Sequence, residues 1–246
     1  MNNLFKKVVI VTGGNGLIGE SIVDDLISEG AIVINADVGL LDDYNNNLFF
    51  CDVTNEMSVG RLIKIVLDKF GKIDGLVNNA YPRTADWGNK FEDIKYESWK
   101  DNIDMQLNSV FITTKAVVEI MKIQGYGSII NVASIYGCIA PDFSIYEGTN
   151  MTMPAAYSAI KGGVLSYSKY LASYFGKHGI RINCVSPGGI FNNQPQEFVC
   201  KYINKVPLNR MGNPIDIAPA ISFLLSEKAN YITGQNLIID GGFTII

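Results

Sequence analysis

A buried strand, a glycine-rich turn, a helix and a second strand follow one another at the start of the chain. This order constrains the fold more than any other part of the sequence. Residues 7–12 are apolar enough for a strand covered on both faces, and they run into the turn Gly13-Gly14-Asn15-Gly16-Leu17-Ile18-Gly19. An amphipathic helix follows to about Glu29, and residues 31–36 form a second apolar strand that ends in Asp37. The pattern predicts a β-α-β unit with parallel strands.

This unit has the chemistry of a dinucleotide site. Glycines let the backbone approach a pyrophosphate, and the N-terminus of the helix offers unpaired N–H groups. A carboxylate at the end of the second strand accepts hydrogen bonds from ribose hydroxyls and repels a 2′-phosphate, and neither Asn15 nor Val38 supplies a cation for one. The sequence therefore predicts a dinucleotide site, to which a merely structural glycine turn is the alternative. Asp37 favours NAD over NADP as the cofactor of that site. The expected contacts are Gly13, Asn15, Gly16, Leu17, Ile18, Gly19 and Asp37.

Strand and helix patterns keep alternating along the rest of the chain. Short apolar strands are predicted at residues 48–51, 73–77, 128–133, 180–185 and 236–239, between helical patterns at 55–70, 96–123, 154–175 and from 214 onward. Such alternation predicts an α/β protein with a Rossmann-type, doubly wound parallel sheet of about seven strands and helices on both faces. No repeat or linker interrupts residues 1–246, so we expect a single domain.

Composition excludes several classes of function. The formal net charge of −4, without a basic stripe, argues against a nucleic-acid partner, and no apolar run has the length of a membrane span. The four cysteines are scattered and the only histidine, His178, lies at an expected helix end, so no metal site is predicted. The first residues lack a signal-peptide pattern, and the expected location is the cytoplasm.

Tyr157 and Lys161 are the candidate proton-transfer pair. They are four residues apart on a helix that begins near Pro154, so their side chains share one face. A neighbouring ammonium favours the phenolate and lowers the pKa of a tyrosine from its ordinary value near ~10. The pair can therefore exchange a proton near neutral pH, although taken alone such a pair is usually just a partly exposed helix face.

With these residues the chain resembles the short-chain dehydrogenase/reductase family, in its compact single-domain branch, over nearly its whole length. The motifs that carry the resemblance are Thr12-Gly13, Asp52, Asn78-Asn79-Ala80, Asn108, Ser134, Tyr157 with Lys161, Pro187-Gly188, Gly234-Gln235 and Asp240-Gly241-Gly242. The resemblance implies an oxidoreductase in which nicotinamide exchanges a hydride with a carbon while a tyrosine exchanges a proton with the attached oxygen.

The resemblance also implies a role for each site residue. Tyr157 is the acid/base, and Lys161 lowers its pKa and holds the nicotinamide ribose. Ser134 hydrogen-bonds the reacting oxygen, unless it only caps a turn, and Asn108 holds a relay water, unless it is a buried polar contact. Asp52 accepts from the adenine amine, unless it caps the next helix. Further cofactor contacts are expected from Val53, Asn78, Asn79, Ala80, Tyr157, Lys161, Pro187, Gly188 and Ile190.

Four features depart from the family pattern. Leu17 replaces a usual glycine, Tyr81-Pro82-Arg83 follows Asn79-Ala80, and Asn192 stands where a threonine often contacts the carboxamide. Ser134 and Tyr157 are also separated by an insertion near 138–153; Ser144 has the more usual spacing, but Ser134 directly follows a strand. Through Tyr81-Pro82-Arg83 and the insertion, the chain resembles oxidoreductases of bacterial flagellin-glycan and nonulosonic-acid gene clusters. This narrower resemblance implies a sugar or activated amino-sugar substrate.

Substrate contacts are predicted from the two unusual segments. Tyr81 offers a flat ring to the substrate, and Tyr146 offers a hydroxyl. Arg83 is expected to bind an anionic group of the substrate, unless it is a solvated loop residue that pairs with Asp86 or Glu92. Ser134 and Tyr157 complete the set of substrate contacts. Residues 195–206 are expected to form either a lid over the substrate or an ordinary surface helix.

Other activities and the assembly complete the expectations. The alternative activities are reduction of 3-oxoacyl thioesters or other small carbonyls, and NAD sensing without turnover. The family assembles through helices equivalent to 96–123 and 154–175. Together with the apolar ending Phe243-Thr244-Ile245-Ile246, this implies a homotetramer.

Overall fold

A parallel sheet forms the centre of the protein in the computed structural model, which describes residues 3–246. Its strands lie in the spatial order β3-β2-β1-β4-β5-β6-β7, and every neighbouring pair is parallel. The order reverses between β1 and β4, which creates a crevice at the carboxyl ends of these strands. The predicted doubly wound sheet is therefore confirmed. The strands are β1 (Val8–Thr12), β2 (Ile32–Asp37), β3 (Leu48–Phe50), β4 (Gly75–Asn78), β5 (Gly127–Val132), β6 (Ile180–Pro187) and β7 (Asn236–Ile239).

Helices connect these strands and cover both faces of the sheet. They are α1 (Leu17–Ser28), α2 (Glu56–Phe70), α3 (Tyr96–Ile103), α4 (Ser109–Gln124), α5 (Ala155–Phe175), α6 (Gln196–Ile203) and α7 (Pro214–Leu225). The single helix predicted over 96–123 is observed as α3 and α4 joined by a π-helical turn at Asp104–Asn108. Such turns are rare and frequently occur at functional sites.

The alternation of side chains along the strands builds one core on each face. Val8 and Ile10 of β1 point into a core formed with α2, α4 and α5, whereas Val9 and Val11 point into a second core formed with α1 and α7. Residues of a strand that are buried on both faces read as a continuous apolar run, which is why β1 was recognisable. Among residues 3–246, no helix is both long and apolar enough to cross a membrane.

Helix ends fix the loops that surround the crevice. The Asn55 side chain accepts hydrogen bonds from the backbone N–H groups of Met57 and Ser58 and so begins α2, and Gly71 ends it with φ of +70°. In contrast, Gly16 begins α1 without any side-chain cap, which leaves that N-terminus open to a ligand.

Candidate functional site

A cavity of about 730 Å³ lies at the carboxyl edge of the sheet. The ends of several parallel strands meet there, so residues far apart in the chain become neighbours. The predicted residues that line it are Gly13, Gly16, Leu17, Ile18, Asp37, Asp52, Val53, Asn79, Ala80, Tyr81, Arg83, Ser134, Tyr157, Lys161, Pro187, Gly188 and Ile190. Val38, Cys51, Pro82, Val132, Ala133, Asn192 and Gln194 complete the lining.

The glycine turn is packed too closely to accept side chains. Gly13 has φ of +66°, and a Cβ added there would lie 2.7 Å from the Cα of Ala80. A Cβ on Gly19 would collide with the carbonyl oxygen of Gly13. The uncapped N-terminus of α1 therefore faces the cavity across bare backbone, which is the geometry that fits a pyrophosphate.

Asp37 holds its carboxylate at the end of β2 through two backbone hydrogen bonds. Its oxygens accept from the N–H groups of Asn15 at 3.2 Å and Gly39 at 2.8 Å. The oriented carboxylate lines the cavity next to the glycine turn, where it is available as an acceptor for ribose hydroxyls.

Hydrogen bonds fix Asp52 and Asn79 near the glycine turn. Asp52 lines the cavity while one of its oxygens accepts from the backbone and hydroxyl of Thr54. It does not cap α2, because Asn55 does so. Asn79 donates to the carbonyls of Thr12 and Gly13 at 3.1 and 2.9 Å, which fixes the end of β4 against the glycine turn.

Asn78 does not line the cavity as the sequence suggested. It is buried, and its amide donates to Asn131 at 2.8 Å while its oxygen accepts from Thr113 at 2.7 Å. These bonds connect β4 to β5 and α4. Asn78 does not reach the cavity because its side chain points into the core, although it is the last residue of β4.

Ser134, Tyr157 and Lys161 meet at the other end of the cavity. Ser134 follows β5, interacts with the Tyr157 hydroxyl and accepts the backbone N–H of Tyr136 at 3.2 Å. Lys161 is buried, donates to the Val132 carbonyl at 2.8 Å, and has its Nζ 5.5 Å from the centre of the Tyr157 ring. Of the two candidate serines, Ser134 lies in the cavity with Tyr157, whereas Ser144 is exposed on the insertion.

Burial controls the proton affinity of this pair. It raises the pKa of Tyr157, and the hydrogen bond from Ser134 opposes that rise. It lowers the pKa of Lys161 to about 8. The lowering of the tyrosine pKa that was expected from the lysine is therefore not observed, because burial of Tyr157 is the largest cause of its shift and acts in the opposite direction.

Comparison with known proteins assigns the family. A family model described as enoyl-(acyl carrier protein) reductase matches residues 15–244. The structure of a short-chain dehydrogenase from Leptospira borgpetersenii with bound NAD+ superposes with a TM-score of 0.88 and 37% identity, over 98% of this chain and 94% of the other. The chain is a short-chain dehydrogenase/reductase.

Curated relatives of this short-chain dehydrogenase/reductase have different activities. The post-translational flagellin modification protein A of Campylobacter coli is 32% identical, over 98% of this chain and 99% of its own length. The 3-oxoacyl-[acyl-carrier-protein] reductase of Vibrio cholerae is 34% identical, over 99% and 100%. The family therefore establishes an oxidoreductase with a nicotinamide cofactor, whereas these similarities alone do not distinguish the two substrate classes.

The structure places Asn108 away from the other site residues of the short-chain dehydrogenase/reductase. Asn108 is exposed at the end of the π-helical turn and donates to Asp104 at 2.6 Å, and it does not line the cavity. Gln106 is the turn residue that is buried, with 4% of its surface exposed. Neither polar atom of its amide has a partner within residues 3–246. Gln106 was not among the predicted site residues, because the resemblance pointed to Asn108 and a π-helical turn is not visible in the sequence pattern.

The loop after β4 brings an aromatic cluster to the reactive tyrosine. The Tyr81 and Trp87 rings lie edge-on to Tyr157 at centroid distances of 5.7 and 6.1 Å, and 5.8 Å from each other. The Arg83 guanidinium lies 5.5 Å from the centre of the Tyr81 ring and forms no ion pair within residues 3–246. Trp87 was not among the predicted site residues, because the loop's own sequence does not tell which of its side chains turns towards Tyr157.

Tyr146 is buried among aromatic side chains and does not line the cavity. It is 7% exposed, packs against Phe198 of α6 at 5.3 Å, and has its hydroxyl 3.5 Å from that of Tyr136. The expectation that Tyr146 offers a hydroxyl to the substrate is not met by this arrangement. The insertion instead uses Tyr146 to support α6, within the segment expected to form a lid.

A second cavity, of about 470 Å³, lies at the opposite edge of the sheet. Its charged groups are already paired: Asp74 accepts the Val8 N–H and contacts Lys7 and Lys72, and Arg181 donates to carbonyls at the end of α7. It contains no convergent set of unpaired groups, and the chemistry belongs to the carboxyl edge.

Proposed function

We propose that this protein is an NAD-dependent oxidoreductase acting on a hydroxyl or ketone carbon of a sugar or activated amino-sugar derivative, in the modification of bacterial surface glycans such as those of flagellin. The observation that supports the reaction is the meeting of Ser134, Tyr157 and Lys161 in one cavity with the glycine turn and Asp37. Nicotinamide bound in that cavity would supply or accept the hydride.

The chain's own groups handle the proton. Tyr157 donates its hydroxyl proton to the substrate oxygen during reduction and takes a proton from that oxygen during oxidation. Ser134 hydrogen-bonds the same oxygen, where negative charge develops. Lys161, with a pKa of about 8, can exchange a proton with solvent near neutral pH.

Asp37 supports the preference for NAD. Its carboxylate is held at the cavity by Asn15 and Gly39, and a 2′-phosphate at that point would meet a fixed negative charge. We expect the ratio of kcat/KM for NAD(H) over NADP(H) to exceed one and to fall in Asp37→Ala. A wild-type preference for NADPH would contradict this assignment.

The substrate class is supported by Arg83 and by the similarity to the flagellin modification protein. Arg83 is exposed at the mouth of the cavity and has no acidic partner among residues 3–246, so its charge is available to a phosphate or carboxylate. The similarity to the 3-oxoacyl reductase supports the alternative, reduction of 3-oxoacyl thioesters or other small carbonyls. The third candidate is an NAD-binding sensor that catalyses no turnover.

Initial rates with a substrate panel separate these activities. The panel contains nucleotide-linked amino sugars, free hexoses and acetoacetyl thioesters, each with NAD(H) and NADP(H). Turnover of the nucleotide-linked sugars and none of the thioesters is the expected result. Turnover of thioesters alone would favour the alternative, and tight NADH binding without any turnover would favour the sensor.

The anchoring role of Arg83 has its own test. Arg83→Ala is expected to raise KM for an anionic substrate by roughly 10–100-fold, as for a charged hydrogen bond of ~1.5–3 kcal/mol, and to leave KM for NAD unchanged. Lys90→Ala, an exposed cation on the same loop, is the matched control. An equal loss with an uncharged substrate analogue would reject the anchor.

We further propose that the enzyme is a cytoplasmic homotetramer. Large apolar rings on the predicted assembly helices support association, since Phe111, Tyr170 and Tyr174 are exposed on α4 and α5. Light scattering at micromolar concentration should give four times the mass of the chain, and a monomeric mass would refute the assembly.

A further inference from the structure

Trp87 is a large side chain beside the reactive tyrosine to which no role has yet been given. Its indole is only partly exposed and lies edge-on to both Tyr157 and Tyr81. A substrate oxygen must approach the Tyr157 hydroxyl to about 3 Å for proton transfer. Carbons next to the reacting carbon must then pass close to the rings that surround the phenol.

The turn that carries Trp87 is fixed before any substrate arrives. The backbone N–H of Trp87 donates to the Thr84 carbonyl, and Thr84 is bound through both its backbone and its hydroxyl to the buried side chain of Asn102 on α3. Ser98, one turn earlier on α3, donates to Asp86 at 2.7 Å and contacts the Thr84 hydroxyl at 3.0 Å. Because the backbone of this turn is held in this way, less of it has to be ordered when a ligand binds beside it.

We propose that Trp87 is a specificity-determining residue that favours substrates whose reacting carbon belongs to a saturated ring over linear ketones and acyl chains. This inference rests on the redox part of the proposed function, namely proton exchange at Tyr157, and it narrows the substrate class of the same site.

The physical reason is the match between a flat indole and a rigid ring. A saturated ring presents several C–H groups at once to an aromatic face, whose electron density is negative and attracts them. A linear chain of the same size must freeze several torsions to make equal contact, and each frozen torsion costs entropy. Trp87 therefore stabilises cyclic substrates more than linear ones.

Cyclohexanone and 2-hexanone test the proposal because they have the same number of carbons and differ in the ring. Trp87→Ala is expected to lower the ratio of kcat/KM for the cyclic over the linear ketone by about tenfold, mainly through KM, and Trp87→Phe by less. Trp99→Phe is the matched control, since Trp99 is the other tryptophan of the chain and is also partly exposed. NADH binding and thermal unfolding of each variant verify that the fold is retained.

The same control variant gives a direct measurement of binding. In Trp99→Phe the remaining indole fluorescence comes from Trp87, and titration with cyclohexanol in the presence of NAD should quench it more than titration with 2-hexanol. An unchanged cyclic-to-linear ratio in Trp87→Ala, or equal quenching by the two alcohols, would overturn the proposal. If the ratio responds but no sugar derivative is turned over, the sugar assignment fails while the role of Trp87 stands.

Discussion

The two ends of the cavity are built in different ways. The end at the glycine turn consists of backbone, with Gly13 packed on Ala80 and Asp37 held by two N–H groups. The end at Tyr157 consists of side chains from separate segments, with Trp87 and Tyr81 delivered by a single loop. Backbone geometry follows from short local patterns, whereas a cluster of side chains depends on how distant segments pack.

This contrast predicts that substitutions act independently at the two ends. Changes near Tyr157 that spare Lys161 should alter turnover or substrate choice with little effect on cofactor affinity, because the groups that would hold the pyrophosphate and the adenosine follow β1, β2, β3 and β4. The predictions below test that separation, beginning with the largest expected effect.

Tyr157→Phe should separate chemistry from binding most completely. Only the hydroxyl is removed, and the ring still packs against Tyr81 and Trp87. Loss of a proton-transfer group commonly costs ~10²–10⁴-fold in rate. We expect kcat to fall by that factor while the Kd for NADH, measured by fluorescence titration, stays within about twofold of wild type. A kcat above about a tenth of wild type would show that another group handles the proton.

Lys161→Met should stabilise the fold at neutral pH while reducing activity. Burial lowers the lysine pKa from its ordinary value of 10.5 to about 8, so the unfolded chain binds a proton more tightly than the folded chain between these values. The unfolding free energy of wild type must therefore rise with pH across that window. The variant should therefore gain unfolding free energy relative to wild type, most of all below pH 8, and the gain should shrink towards pH 10.5. At ~1.4 kcal/mol per pKa unit the gain is at most about 3 kcal/mol, and it is reduced by the loss of the hydrogen bond to Val132.

Denaturant unfolding of both proteins from pH 7 to 10 measures this difference. A gain independent of pH would mean that Lys161 titrates near its ordinary value in the folded protein. Lys169→Met, on the same helix, is the control for the loss of a lysine without burial at the cavity.

The sequence predicted the backbone-built end and missed parts of the other end for physical reasons. The glycine turn and Asp37 were recognised because strand, turn and helix are encoded within a few residues of one another. Tyr146 was misplaced because its partner Phe198 belongs to α6, far along the chain. Trp87 was overlooked because nothing in a loop's own sequence tells which side chain turns towards a distant helix.

The π-helical turn explains the other error. Asn108 was chosen through the family resemblance, whereas the polar side chain that the turn buries is that of Gln106, because the residue inserted in a π-helical turn is not visible in the sequence. Both polar atoms of Gln106 are buried without partners among residues 3–246, and Leu107 of the same turn packs on Gly163 of α5. The turn thus contacts the helix that carries Tyr157 and Lys161.

Gln106→Leu compared with Asn108→Ala tests which residue of the turn matters. Replacing an unpaired buried amide by an apolar group of similar size should raise the unfolding free energy by ~1–3 kcal/mol. If the amide serves the site, kcat should fall several-fold in the same variant, and Asn108→Ala should leave kcat within twofold of wild type. Thermal unfolding and initial rates measure both effects. Equal losses of kcat in the two variants would restore the role predicted for Asn108.

The smallest effect is expected from substitutions where the insertion meets α6. They test whether α6 moves as a lid at the substrate end of the cavity. Asp142 forms an ion pair with Lys205 at 2.6 Å, which lowers the aspartate pKa to about 2, and Lys201 donates to the Glu147 carbonyl at 2.6 Å. If α6 opens as a lid, these contacts must break or move with it.

Asp142→Asn removes the charge and keeps the shape, so α6 should open more readily. Because both partners are partly exposed, we expect only a two- to threefold change: faster hydrogen exchange in residues 196–203 and a higher substrate KM, with KM for NAD unchanged. Lys205→Gln should give the same change, and the double variant no more than either single one, since one ion pair is lost in all three. Additive effects would show that the two side chains act separately, and exchange that is equally slow in every variant would show that α6 is a fixed wall of the substrate end.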